Sequence, residues 1–176
     1  SLAGTHQRHN VALAVMAARH LGISSHAIAN GVSTAYWPGR MQRLTHGVLV
    51  EAWGTRGDVI VDGAHNAHAA EALVEWMASR KQPITLICGM MARKDATAFF
   101  ETLVPYVREL LTITLEENGA YGAEELGDVA RVAGIDVICC PQGLASVAGV
   151  LQACESGTLL IIGSLFLAGE VLKNHG

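Results

Sequence analysis

Charge is scarce in this 176-residue chain: Asp, Glu, Lys and Arg together make up 16% of it, and the formal net charge is −4. No run of Lys or Arg occurs, which excludes the basic footprint of a nucleic-acid binder and the polybasic patch of a membrane-surface protein. Aromatic residues are few, at 5%. Long apolar runs are missing too. Stretches such as Pro83 to Cys88 and Thr158 to Ile162 fall far short of the roughly 20 residues that a membrane-spanning helix needs. No charged amino-terminal segment followed by an apolar one is present, so no secretory leader is read. A cytoplasmic location is the expectation.

Cysteine is sparse and unpatterned. Cys88, the adjacent Cys139 and Cys140, and Cys154 form no CxxC and lie away from the histidine-rich stretches. Each sits in or beside an apolar run. They read as buried thiols acting as small hydrophobes, not as disulfides, metal ligands or a nucleophile. A GxxxxGK[ST] phosphate loop is also absent, and with it the backbone cradle such a loop gives a nucleotide.

What is present is apolar: 51% of the residues are hydrophobic, enough for one full domain with a sizeable core and a small appendage. Thr5 to Leu21 carries Val11, Ala14, Val15, Ala18 and Leu21 on one stripe, which predicts a helix capped by Thr5 and stopped at Gly22. Ser24 is expected to cap a shorter helix, His26 to Asn30, ended by Gly31. Pro38 and Gly39 then make Thr34 to Arg40 an extended connection, where the domain boundary is placed. The absence of an initiating methionine and the immediate start in a helix pair suggest a piece of a larger protein.

Beyond Arg40, Val48 to Trp53 and Val59 to Asp62 are expected to form a hairpin around Gly54 to Gly57. Strands then alternate with helices: Ile84 to Cys88, helix Ala96 to Leu103, strand Leu110 to Leu115, helix Ala123 to Ala133. Strand Val137 to Cys140, helix Leu144 to Cys154, strand Leu159 to Ile162 and helix Ser164 to Leu172 complete the series. Nearly all-apolar strands separated by helices predict an α/β fold, a mostly parallel Rossmann-like sheet covered on both faces and preceded by a short helical segment.

The sharpest candidate site lies at Val59 to Met77, where a β-branched run ends in Asp62 and Gly63 before a helix capped by Asn66. That helix carries Ala70, Leu73, Val74 and Met77 at i, i+3, i+4 and i+7. The carboxyl ends of parallel strands are where open α/β sheets bind ligands, and helix N-termini attract anions. Asp62, His65 and His68 can bind a ribose and a phosphate or a divalent metal. Their spacing matches no zinc motif such as HExxH, which favours the metal-free reading.

Other candidates lie in loops. Arg40, behind the Pro38-Gly39 turn, suits a clamp on phosphate or carboxylate, although a lone arginine there is commonly just solvated. His6, Gln7, His9 and Asn10 can present polar groups to a planar base or simply cap a helix. Gly89 to Asp95 follows a buried strand, with Lys94 and Asp95 possible starts of the next helix, and Gly163-Ser164 repeats that geometry.

In this order and spacing, GTHQRHN, YWPGRMQ, VDGAHN, GMMARKD and GSLFLAGEV resemble the carboxyl-terminal part of folylpolyglutamate synthases, including the bacterial form with dihydrofolate synthase activity, in the Mur ligase superfamily. The resemblance implies a Rossmann-like third domain over residues 37–176 and the helical end of the central ATPase domain over 1–36. It also implies ATP-dependent, ADP-forming addition of L-glutamate to a pteroate or folate carboxylate through an acyl phosphate, with magnesium as cofactor and a monomeric enzyme.

By motif, Asn10 is similar to the adenine contact, Arg40 to the phosphate clamp, and Asp62 to a ribose or nucleotide contact. His65 is similar to the histidine that places nucleotide and glutamate, and Ser164 to a residue near the incoming glutamate. Ala67 stands where the family usually has proline. The phosphate-loop domain that would bind most of the ATP and Mg2+ is missing from this sequence, so the segment is expected to be inactive alone. A Mur-type peptidoglycan ligase domain, a stand-alone nucleotide-binding module and a metal-dependent hydrolase are the competing readings.

Overall fold

The structure, a computed structural model, describes the backbone of residues 5–174 and the side chains of residues 10–173. It opens with helices α1 (Thr5–His20) and α2 (Ser25–Thr34). The Ser24 hydroxyl accepts the Ala27 N–H at 3.3 Å and caps α2 as expected. Gly31 does not end that helix, which continues to Thr34. Glycine weakens a helix interior by about 1 kcal/mol but does not remove a hydrogen bond; the turn ends where Ala35 becomes extended, at ψ 125°. The proposed Thr5 cap lies outside the described side chains.

The body is a six-stranded sheet in the order β1-β2-β6-β3-β4-β5. Its strands are β1 (Gln42–Leu44), β2 (Val59–Val61), β3 (Ile84–Cys88), β4 (Glu109–Ile113), β5 (Val137–Cys140) and β6 (Thr158–Ile162). Only β1 is antiparallel, pairing Gln42 with Val61. The other five are parallel, and Ile161 of β6 lies in register with both Val61 and Ile87. Leu159, Leu160, Ile161 and Ile162 are wholly inaccessible to solvent. A strand buried on both faces therefore takes the sheet centre.

The expected hairpin is corrected here. Val48–Trp53 is a helix, α3, and the antiparallel partner of β2 is β1. A β-branched residue at Val48 and Val50 suggests a strand, yet Leu49 and Trp53, four residues apart, are the two buried positions. Helical spacing puts both on one face, and the Trp53 indole N–H donates to the Gly157 carbonyl at 3.3 Å. Tertiary burial overrides local propensity.

The connecting helices are α4 (Ala67–Ala78), α5 (Ala96–Leu103), α6 (Ala123–Val132), α7 (Leu144–Leu151) and α8 (Leu165–Asn174). Alternate strand residues feed two cores. Val59, Val61 and Ile161 pack with α3, α7 and α8 on one face, while Ile60, Leu160 and Ile162 pack with α4, α5 and α6 on the other. Helices after β2 and β3 thus cover one face and the helix after β6 covers the opposite one. The loops above β6 part, which is the topological condition for a ligand crevice in an open parallel sheet.

Candidate functional site

The crevice is assembled from three loops at the carboxyl edge and one from the β1 side. After β2, Asp62 is 5% exposed, and both its oxygens are engaged with backbone: Oδ1 accepts the Ala64 N–H and Oδ2 the Met41 N–H, each at 2.8 Å. The Gly63 N–H donates to the Gly39 carbonyl at 2.9 Å, and the Gly163 N–H to the Ala64 carbonyl at 2.7 Å. The loops carrying Arg40, His65 and Ser164 are thereby tied to one another. A Cβ at Gly63 would press on the ends of the Arg40 and Leu165 side chains and force them to shift.

Asn66 caps α4, its Oδ1 accepting the Ala69 N–H at 2.8 Å. Asp95 caps α5 by accepting the Ala98 N–H at 3.0 Å, and the Ser164 hydroxyl accepts the Phe166 N–H at 3.0 Å at the start of α8. Three helix N-termini, each a partial positive charge, thus border the same edge. The His65 Nδ1 lies 2.8 Å from the Gly63 carbonyl. Since a carbonyl only accepts, Nδ1 carries the proton and Nε2 is left as the nitrogen that can accept from or donate to a ligand.

Two cavities adjoin. The larger, about 410 Å³, is lined by Asn10, Arg40, Asp62 and His65 together with His68 and the α4 residues Ala69, Ala72 and Leu73. The smaller, about 140 Å³, is lined by His65, Arg93, Lys94 and Ser164 with Met91 and Phe166. His65 belongs to both walls. Of the residues singled out from the sequence, Asn10, Arg40, Asp62 and His65 meet in the first cavity and Ser164 lies in the second. The side chains of His6, Gln7 and His9 lie outside the described residues.

The metal reading of Asp62, His65 and His68 meets a different geometry. His68 is exposed and faces Glu71 at 3.6 Å, and among the described residues no three His, Cys, Asp or Glu side chains gather closely enough to hold a metal. Arg93 and Lys94 belong to the Gly89 to Asp95 loop, which the sequence offers as a candidate at a strand end without distinguishing either residue as a ligand contact. Their place is decided by distant backbone pairing: Ala92 N–H to Gly119 carbonyl and Tyr121 N–H to Met90 carbonyl, both 2.9 Å. On a chain of net charge −4, Arg40, Arg93 and Lys94 concentrate positive charge at one edge, as an anionic ligand requires.

All four cysteines are free, with Cys88, Cys140 and Cys154 buried. Burial pushes the Cys88 thiol well above the usual thiol range. Among the described residues no helix is long and apolar enough to cross a membrane.

A mostly parallel sheet with helices on both faces and a crevice at the strand reversal defines an α/β domain of the doubly wound kind. The chain belongs to the family described as "Mur ligase, glutamate ligase domain", whose profile matches residues 39–165. It is 41% identical to the dihydrofolate synthase/folylpolyglutamate synthase of Bacillus subtilis (strain 168), over 98% of this chain and 40% of that protein. Among solved structures it is similar to Escherichia coli FolC in complex with DHPP and ADP: TM-score 0.77, 26% identity, 93% of this chain and 38% of that one. It is also similar to the bifunctional folylpolyglutamate synthase/dihydrofolate synthase of Yersinia pestis complexed with AMPPNP and Mn ion: TM-score 0.69, 25% identity, 92% of this chain and 37% of that one. The chain spans 37% to 40% of the length of these relatives.

Proposed function

We propose that this chain is the glutamate-ligase domain of an ADP-forming ligase that adds L-glutamate to dihydropteroate, to folylpolyglutamates, or to both, through an acyl phosphate. The observation that carries the reading is the pair of adjoining cavities sharing His65. The larger presents Arg40 to a phosphoryl group, Asn10 to the adenine, and Asp62 to a ribose hydroxyl, for which a carboxylate oxygen has a second lone pair. The smaller offers Arg93 and Lys94 to the carboxylates of the amino acid and the Ser164 hydroxyl as a further polar contact.

In this reading Arg40 stabilises charge that develops as the phosphoryl group is transferred and then expelled. His65 stands between the two cavities, where nucleotide and incoming amine meet, and its Nε2 holds that contact. The residues of this chain fit the nucleotide as a closing wall. Magnesium, when bound, would neutralise charge on the phosphates.

Residues 1–36 are assigned to the end of that neighbouring ATPase domain and 37–176 to the ligase domain. The exposure of Leu13 (66%), Met16 (67%) and Leu21 (76%) supports the division, because α1 and the turn after it present apolar side chains that the sheet domain does not cover. The assigned setting is a monomeric cytoplasmic enzyme. The test joins this chain to its phosphate-loop domain and follows ADP release with dihydropteroate, folylpolyglutamate or muropeptide acceptors plus glutamate. Folate-dependent ADP release by the joined protein and none by the isolated chain is the expected result; muropeptide-dependent release would reassign the acceptor. ATP binding by the isolated chain, measured by calorimetry with magnesium, would make it an autonomous module.

A further inference from the structure

The backbone that carries Arg40 is held in a conformation that two side chains stabilise. Met41 has φ +44°, the one non-glycine positive φ among the described residues, and Gly39 precedes it at φ +68°. A left-handed methionine is unfavourable on its own and persists only where its surroundings over-determine it. Asp62 supplies one constraint through the Met41 N–H, at 2.8 Å. Gln42 supplies the other: its side-chain Oε1 reaches back to accept the Gly39 N–H at 2.9 Å. That bond closes a ring around Arg40 and Met41. Gln42 itself is anchored to the sheet by its register opposite Val61.

Arg40 has little else to aim it. Among the described residues its guanidinium makes one hydrogen bond, Nη1 to the Gly39 carbonyl at 3.3 Å, and it lies over Gly63, where no Cβ intervenes. Its direction is therefore set through the backbone of residues 39–42. Gly39 is thus anchored on both sides: its N–H donates to Gln42, and its carbonyl, which Arg40 also touches, accepts the Gly63 N–H.

We propose that Gln42 is a positioning residue for the ligase reaction: its amide oxygen fixes Gly39, and through it the approach of Arg40 to the transferred phosphoryl group. The proposal rests on the phosphate-clamp reading of Arg40. Displacing a charge contact by about 1 Å costs up to about a hundredfold in rate, so loss of the Gln42 acceptor reduces turnover without abolishing the site. Binding of ATP and glutamate draws on many other contacts and changes little.

The experiment uses the complete ligase, with its phosphate-loop domain, and determines kcat and KM for Gln42→Met, Gln42→Asn, Gln42→Glu, Arg40→Ala and the double variant Arg40→Ala/Gln42→Met. Methionine keeps the length without an oxygen acceptor, asparagine keeps the amide but falls short of Gly39, and glutamate keeps the acceptor. The expected result is a loss in kcat of about tenfold for Met and Asn with KM values within about twofold, and kcat for Glu within about threefold of wild type. Gln42→Met is expected to add less than about twofold to the defect of Arg40→Ala, because it acts through that residue. Should Gln42→Met fail to fold, judged by circular dichroism, the Asn and Glu variants carry the comparison.

Wild-type kcat in the Met and Asn variants, equal damage in Glu and Met, or multiplicative effects in the double variant would overturn the role of Gln42 while Arg40→Ala stays impaired. Normal turnover in Arg40→Ala would instead remove the clamp reading, and this inference with it.

Discussion

The Gly163 N–H donates to the Ala64 carbonyl at 2.7 Å, joining the loop after the central strand β6 to the loop after β2. Gly163 has φ +113°, and a Cβ built on it would lie 2.6 Å from both Cys88 Sγ and the Gly89 carbonyl. This one glycine lets the three loops of the crevice meet.

Gly163→Ala is accordingly expected to lower stability by about 2–4 kcal/mol, combining positive-φ strain with overpacking. Urea unfolding measures it. Cys88→Ala in the same chain relieves only the side-chain contact, so the double variant should recover part of the loss; no recovery would place the whole effect in the backbone.

Asp62→Ala leaves the Met41 and Ala64 N–H groups without their carboxylate. The expected cost is about 2–4 kcal/mol, with Asp62→Asn intermediate because its amide oxygen still serves one of the two donors. Hydrogen exchange at Met41 should accelerate in both variants. An unchanged Met41 amide would mean that the Asp62 bond does not hold that turn.

Arg40→Ala in the complete ligase is expected to reduce turnover at least about a hundredfold, as loss of one charge contact at a transferred phosphoryl group does. Steady-state ADP release reads this directly. Turnover near wild type would remove Arg40 from the chemistry.

Ala67 is the first residue of α4, following the Asn66 cap. Proline pre-sets the required φ there, so Ala67→Pro should stabilise the chain by about 0.4–1 kcal/mol. A decrease in Tm would show that the bend at Asn66 does not accept a pyrrolidine ring.

Stability should also fall on the alkaline side. Burial, reinforced by Glu109, pushes the Cys154 thiol up to about 11, and burial raises Cys88 as well. Unfolded thiols titrate near about 8.5, so above that pH the unfolded chain releases protons that the folded one retains. The stabilising difference is complete below about 8.5 and is lost as pH rises toward the folded values. Thermal melts from pH 8 to 11 should show the decline, and the Cys88→Ala/Cys154→Ala variant should flatten it.

Much of this molecule is legible in its sequence because the deciding physics is local. Helix α5 has the predicted bounds Ala96–Leu103, and β5 the predicted bounds Val137–Cys140. Side-chain period, cap residues such as Asn66, and Pro38-Gly39 breaks specify these elements through neighbours a few residues away. The motifs around Asp62, His65 and Ser164 likewise read as loops at strand ends, and Arg40 as a residue behind the Pro38-Gly39 turn, whereas β1 (Gln42–Leu44) carries no local strand signal.

Tertiary structure decided the rest, through contacts between residues far apart in the chain. Val48–Trp53 became a helix because Leu49 and Trp53 had one core to fill. The last strand entered the centre of the sheet, between β2 and β3, because Leu159 to Ile162, apolar on both faces, need cover on both. Arg93 and Lys94 reached the second cavity through pairing with residues 119–121, and the Arg40 turn took its form from Asp62, in the loop after β2. Periodicity can specify a strand, but only the burial and hydrogen-bond demands of the assembled sheet determine what stands beside it.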